Sequence, residues 1–264
     1  MRKTILLTGA TDGIGLLTAG ILAAEGHRVL LHGRDADRLQ AAARAVGGMT
    51  ETCLADLSRL DQAAALADAV RARHDRLDVL INNAGVLKAP RSVTDEGLDV
   101  RFVVNTLAPY VLTRRLLPVI PADGRVVNLS SAAQAPVDVD ALLGRRRLAG
   151  MEAYAQSKLA LTIWTQEMAR AHPGGPVFIA VNPGSLLATK MVKEGFGIAG
   201  NDPRAGADIL RRAALSEEFA TASGRYFDND NGRFAAPHPA ARDPRHVAEV
   251  MAAIESLAAP WLDL

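Results

Sequence analysis

The sequence predicts a doubly wound α/β fold, a single domain built on a seven-stranded, mainly parallel sheet. Three observations carry that expectation. Short runs rich in Val, Ile and Leu alternate with longer stretches whose apolar positions repeat at helical spacing, as a parallel sheet covered on both faces requires. The first run opens directly into a glycine-rich turn that leads into a helical stretch. No Pro/Ser-rich linker, low-complexity tract or internal repeat divides the 264 residues, a length compatible with one large domain.

Thr4–Leu7, Arg28–Leu31, Thr50–Leu54, Val79–Ile81, Val126–Leu129 and Val177–Val181 have the length and composition of buried strands, with Gly, Asp or Asn at their ends. Between them Ile14–Glu25, Asp37–Val46, Leu60–His74, Gly97–Val119 and Met151–Ala171 have helical spacing. The last third is less regular. Ser185–Asn201 mixes Leu186, Leu187, Met191, Val192, Phe196 and Ile198 with glycines, the composition of a lid over a site. Arg204–Leu215 reads as a helix, and the segment from 216 onward as a variable C-terminal part. Within it Arg225–Phe227 reads as a final strand, Asp228–Asp243 as loop and Pro244–Ala258 as a closing helix, Pro244 suiting its first position.

Composition excludes several classes. Thirty basic and 29 acidic residues leave a net charge of +1, so nothing draws the chain to nucleic acid or an acidic membrane surface. Arg145–Arg147 is a short basic run, read as a solvated segment. No window approaches the ~20 apolar residues of a membrane span, and Ile5–Leu7 is too short for a signal-peptide core. The single cysteine, Cys53, allows no intrachain disulfide and is read as a small buried residue. The expectation is a soluble, cytoplasmic protein.

Thr8-Gly9-Ala10-Thr11-Asp12-Gly13-Ile14-Gly15 follows the first strand. Its glycines permit a tight turn and a close approach of backbone N–H groups to a diphosphate, which then faces the positive end of the helix. The spacing G-x-x-x-G-x-G differs from the common G-x-G-x-x-G fingerprint. Tyr154 and Lys158 stand four apart in a helical stretch and so share one face. A cation beside a phenol favours the phenolate, which would tune Tyr154 for general acid–base work, although the same spacing occurs on many solvated helices. Val126–Leu129 ends in the pair Ser130-Ser131.

Taken in order, Gly9-x-x-x-Gly13-x-Gly15, Asn82-Asn83-Ala84-Gly85, Tyr154-x-x-x-Lys158 and Asn182-Pro183-Gly184 resemble the single-domain branch of the short-chain dehydrogenase/reductase family over roughly residues 3 to 190. The resemblance implies a Rossmann-like domain and a hydride transfer between nicotinamide and a carbonyl or alcohol substrate. It implies Asn105, Ser131, Tyr154 and Lys158 as catalytic residues, with Asn105 bending the long helix and holding a water in the proton relay. Ser131 is preferred over Ser130 because the family uses the second serine. It lies 23 residues before Tyr154, about ten more than the commonest pattern, a longer loop like that of retinol-dehydrogenase-like members.

The resemblance further assigns cofactor contacts to Gly9, Thr11, Asp12, Gly13, Ile14 and Gly15, and to Tyr154 and Lys158 themselves. Asp56 matches the residue that bonds the adenine amino group, with Leu57 beside it; a turn residue capping the next helix is the other reading. Asn82 steadies the sheet and lines the cleft with Ala84 and Gly85, and Pro183 and Gly184 complete the contacts. Thr189 falls one position later than the usual nicotinamide-contacting threonine.

After the second strand the chain reads His32-Gly33-Arg34-Asp35, with no acidic residue at the strand end. Arg34, assisted by Arg38, suits a ribose 2′-phosphate, so NADP(H) is expected over NAD(H). Alternatively Arg34 is solvated while Asp35 or Asp37 caps the helix. Asp228-Asn229-Asp230-Asn231 lacks the full ligand spacing of a calcium loop, so no metal is expected. Helices Gly97–Val119 and Met151–Ala171 match the family's subunit-packing surfaces, which implies a homodimer or homotetramer by resemblance, although an apolar stripe on either could equally face the sheet. The alternative function is a catalytically silent NADP(H)-binding sensor, although such relatives typically lack the tyrosine or lysine.

Overall fold

A computed structural model describes residues 1–187 and 200–262. Its strands are β1 Thr4–Leu7, β2 Arg28–Gly33, β3 Met49–Leu54, β4 Val79–Asn82, β5 Arg125–Leu129, β6 Val177–Asn182, β7 Arg225–Asp228 and β8 Arg233–Ala235. They form one sheet in the order β3-β2-β1-β4-β5-β6-β7-β8, parallel throughout except for the antiparallel β7–β8 pair. The order reverses between β1 and β4, which opens a crevice at the carboxyl ends of those strands.

Side chains alternate across each strand, so the apolar runs feed two cores. Leu6, Leu30, Leu80, Val126 and Phe178 face one side, while Ile5, Leu7, Val29, Ile81 and Val181 face the other. The helices are α1 Gly13–Ala24, α2 Ala36–Val46, α3 Leu60–Arg71, α4 Val100–Phe102, α5 Ala108–Leu116, α6 Val139–Leu142, α7 Gly150–Ala171, α8 Pro203–Leu215 and α9 Pro244–Ala258. Helices α1 and α8 cover one face, and α3, α5, α7 and α9 the other.

One feature departs from the expectation and two fill it in. The sheet has eight strands, because Arg233–Ala235 pairs with β7 inside the stretch read as loop. Three residues are too few to show a period of two, and the strand is held by tertiary contacts. Phe234 packs on Phe227 and Phe219 at ring distances of 5.1 and 5.3 Å, under the Arg225 guanidinium at 3.9 Å. The long helix 97–119 is broken into α4, a π-helical turn Val103–Leu107, α5 and a closing 3₁₀ turn Leu117–Val119. The longer loop before Tyr154 is folded: Asp138 caps α6, and Val137, Ala141 and Leu142 are buried.

The apolar stripes of the two helices expected to pack subunits are turned into this one chain. Every residue of α5 except Arg114 is buried within this one chain, as is every residue of α7 from Gln156 to Thr165. Helix α3 covers α5, and α9 packs on α7. No helix among the described residues is long and apolar enough to cross a membrane. The lid expected around 185–201 falls largely outside the described residues, together with Met191, Val192, Phe196, Ile198 and Thr189.

Candidate active site

The floor of the crevice is built from the glycine turn. Gly9 and Gly13 have positive φ, +67° and +52°, so the chain reverses there without Cβ strain. A Cβ on Gly15 would come within 2.1 Å of the Gly9 carbonyl oxygen, and one on Gly9 within 2.9 Å of Ala84 Cα. The turn is pinned from β4. Thr8 Oγ1 accepts from the N–H groups of Asn83 and Ala84, both at 3.0 Å, and Asn83 Nδ2 donates to the carbonyls of Thr8 and Gly9 at 2.8 and 3.1 Å. Asp12 caps α1 and accepts from the Arg38 guanidinium at 2.8 Å.

His32 closes the floor, and the sequence reading gave it no role. Its Nδ1 accepts from the Gly9 N–H at 3.1 Å and its Nε2 bonds the Ala55 carbonyl at 3.0 Å. Those partners require the neutral ring protonated on Nε2. Burial brings its pKa down to about 4, against smaller raising effects of the Ala55 bond and Asp56. A histidine at the end of an otherwise apolar strand was the available signal.

The crevice encloses about 300 Å³ and runs from Arg34 and Asp56 at one end to Tyr154 and Lys158 at the other. Thr11, Asp12, Ile14, Leu57, Ala84 and Gly85 lie along it, with the glycines of the turn and Pro183. Arg34 is exposed at the rim, while Asp35 caps α2 by accepting from the Arg38 N–H at 2.9 Å. Asp56 lines the crevice and also shapes a turn, its Oδ1 accepting from Ser58 N and Oγ. Two assigned contacts lie elsewhere. Asn82 is buried behind the crevice, donating to Asn128 Oδ1 at 2.8 Å and Thr113 Oγ1 at 3.2 Å, and Asn83 takes the lining position. Gly184 lines an adjoining cavity instead.

That second cavity, about 320 Å³, shares Ile14, Ser130, Tyr154 and Pro183 with the first. Leu87, Ala133, Met151, Leu186 and Leu187 give it an apolar wall. Ser131 lies in it beside Tyr154, its Oγ accepting from Ala133 N at 3.1 Å, whereas Ser130 Oγ is tied to Thr162 Oγ1 at 2.7 Å. Asn105 sits in the π-helical turn behind the crevice. Its Oδ1 accepts from Val86 N at 2.8 Å, and its Nδ2 donates to Val86 O and Ser157 Oγ, each at 3.0 Å. With both amide protons engaged, a water could only donate to an oxygen of Asn105.

The electrostatics differ from the expected tuning of the phenol by the lysine. Lys158 Nζ is 5.7 Å from the Tyr154 ring centre and donates to the Leu129 carbonyl at 2.6 Å. Burial lowers its pKa to about 7. Burial also raises the Tyr154 pKa, and the bond from Ser131 opposes part of that rise. Desolvation is therefore the largest influence at both groups. A phenol kept protonated at neutral pH is a proton donor.

Comparison with known proteins places this architecture. The family of short chain dehydrogenases matches residues 3–196. Human retinol dehydrogenase 13 is 34% identical over 91% of this chain and 80% of its own length. An uncharacterized protein from Mycobacterium Paratuberculosis superposes with a TM-score of 0.82 at 31% identity, covering 98% of this chain and 94% of its own. Landomycin C-6 ketoreductase LanV, solved with bound NADP and rabelomycin, is 30% identical with a TM-score of 0.68, over 87% of this chain and 95% of its own. The chain belongs to the short-chain dehydrogenase/reductase family. It is a hydride-transferring oxidoreductase of Rossmann-like fold.

Proposed function

We propose that the protein is an NADP(H)-dependent oxidoreductase acting on a small-molecule ketone or aldehyde and the corresponding alcohol, in the cytoplasm. The observation that carries this reading is the junction of the two cavities at Tyr154, where the cofactor crevice meets an apolar substrate pocket. The crevice fits a dinucleotide. Gly9, Gly15 and Gly33 leave no room for a Cβ, and the N–H groups of Ile14 and Gly15 in the first turn of α1 have no intrahelical acceptor to claim them. When bound, the nicotinamide supplies or takes up the hydride.

This chain's residues handle charge and protons. Tyr154 gives its phenolic proton to the substrate oxygen as negative charge develops there, and takes it back in alcohol oxidation. Ser131 offers a preorganised hydrogen bond to the same oxygen. Lys158 holds the nicotinamide ribose hydroxyls, and Asn105 keeps Val86 and Ser157 in place beside the relay. Arg34 would meet the 2′-phosphate at the rim, beside Asp35, whose carboxylate is engaged as the α2 cap. Arg38 is paired with Asp12, but an exposed pair of this kind is weak, about 0–1 kcal/mol, and yields to a phosphate.

The apolar wall of Leu87, Met151, Leu186 and Leu187 favours an apolar or aromatic carbonyl compound. The bound rabelomycin of LanV, a ketoreductase, supports the same direction. The deciding experiment assays purified protein against a panel of ketones, aldehydes and quinones by loss of NADPH or NADH absorbance. Turnover with NADPH preferred supports the reading. Preference for NADH removes the Arg34 assignment, and tight NADPH binding without turnover on any carbonyl favours the sensor.

A further inference from the structure

The substrate cavity has two walls, Ser130–Ala133 on one side and Asn182–Leu187 on the other. Both are tied to the β7–β8 hairpin, the element in which the sequence showed only a strand and a loop. Tyr226, buried on β7, donates its hydroxyl to the Ser131 carbonyl at 3.1 Å, beside Gln134 Nε2 at 2.9 Å. Burial pushes the Tyr226 phenol far up, with Asp228 and Asp230 adding to the rise, so it stays a donor.

In the hairpin turn, Asp230 collects three donors. Its Oδ1 accepts from Ser185 N at 2.7 Å, and its Oδ2 from Ser185 Oγ at 2.6 Å and Asn182 Nδ2 at 2.8 Å. Asp228 accepts from Asn182 Nδ2 at 2.9 Å and from Asn231 Nδ2 at 2.6 Å. The calcium-like string Asp228–Asn231 therefore turns its carboxylates toward protein donors. Partial burial would raise the Asp230 carboxyl, but the bonds from Ser185 and Asn182 outweigh it and hold it below the usual range.

The next residue, Leu186, has a φ of 53°, the sole positive φ outside glycine among the described residues. A leucine persists in that conformation only where its neighbours over-determine it. Ser185 is held by Asp230 on one side of it, and the Leu186 carbonyl accepts from Asn201 N at 2.7 Å.

We propose that Tyr226 and Asp230 are positioning residues, which hold Ser131 and the Asn182–Leu187 turn at the spacing that defines the substrate cavity. The inference rests on the reading of this cavity as the substrate's and of Tyr154 as its proton donor. Chemistry makes each residue specific. Three converging donors need an acceptor-only side chain, so an amide at 230 would turn an N–H₂ toward some of them. A phenylalanine at 226 fills the same space and loses only the bond to Ser131.

The test uses the full chain with Tyr226→Phe and Asp230→Asn, measured three ways. Amide hydrogen exchange should quicken at Ala132–Gln134 in the first variant and at Gly184–Leu187 in the second. Both should keep the parent's NADPH-binding stoichiometry. With a carbonyl substrate from the panel, Tyr226→Phe should lower kcat about fivefold with little change in KM, and Asp230→Asn should raise KM about tenfold, the scale of one to two lost hydrogen bonds. Unchanged exchange at both walls overturns the inference. So do unchanged kcat and KM, or losses that merely track NADPH-binding stoichiometry, which would mark general misfolding. A parent that turns over no carbonyl would instead strike the oxidoreductase reading, and the exchange measurement alone would then decide whether the hairpin braces the walls.

Discussion

Lys158 Nζ sits over the Tyr154 ring, 5.7 Å from its centre, and is bonded to the Leu129 carbonyl, not to the phenol oxygen. The pair that looked in sequence like a cation tuning a phenol is two desolvated groups, each pushed toward its neutral form. Ser131 alone opposes that push at the phenol, which burial keeps protonated at neutral pH.

Tyr154→Phe removes the transferable proton and leaves the crevice its shape. Turnover should fall by about 10²- to 10⁴-fold, while NADPH affinity measured by fluorescence titration stays near the parent's. A variant reducing carbonyls at the parental rate would end the acid–base assignment.

Lys158 makes stability depend on pH. The unfolded chain keeps this proton up to about pH 10.4, whereas the folded chain releases it near 7. Between those values the unfolded state binds more protons, so stability should rise with pH across the window. Lys158→Met should remove up to about 1.4 kcal/mol of that gain per pH unit. Urea denaturation of parent and variant at about pH 7 and about pH 9 checks it.

The serine pair separates chemistry from packing. Ser131→Ala should lower kcat roughly a hundredfold at nearly parental stability. Ser130→Ala loses the buried bond to Thr162, so it should cost about 1 kcal/mol of stability and spare kcat. The reverse pattern in matched kinetics and melts would exchange their roles.

Arg34→Ala should weaken NADPH binding by roughly ten- to a hundredfold, the scale of hydrogen bonds to a charged group, and leave NADH almost unaffected. Calorimetric titration with both cofactors measures the ratio. Equal losses for the two would mean that Arg34 sees only their shared parts.

His32 predicts acid sensitivity. Its folded pKa near 4 lies below the ordinary 6.5, so the stability it contributes is present above 6.5 and lost as pH falls toward 4. In the folded protein Nδ1 is protonated, and can no longer accept from Gly9, only as pH falls through about 4, so NADPH affinity should hold down to that point and fall below it. His32→Phe leaves the Gly9 N–H and Ala55 carbonyl without partners and should cost about 2–4 kcal/mol, read by chemical denaturation at neutral pH.

What the sequence determined by itself was local. Strand-length apolar runs, the glycine turn and the one-turn spacing of Tyr154 and Lys158 depend on neighbours within a few residues, so the alternation of β1 to β7 with helices was legible. Arg34 was legible as a rim residue for the same reason, since it directly follows β2. Tertiary structure decided what hydrogen-bonds what. Asn83, not Asn82, pins the turn from 75 residues away. His32 reaches back 23 residues to Gly9, Tyr226 reaches Ser131 across 95, and Asp230 reaches Ser185 across 45. The short strand β8 likewise exists because of what packs on it. Periodicity records which face of an element is buried, but partners are chosen by the order of strands in the sheet. Burial then reversed the expected electrostatics at Tyr154 and Lys158, because desolvation depends on everything that surrounds a group and not on its spacing in the chain.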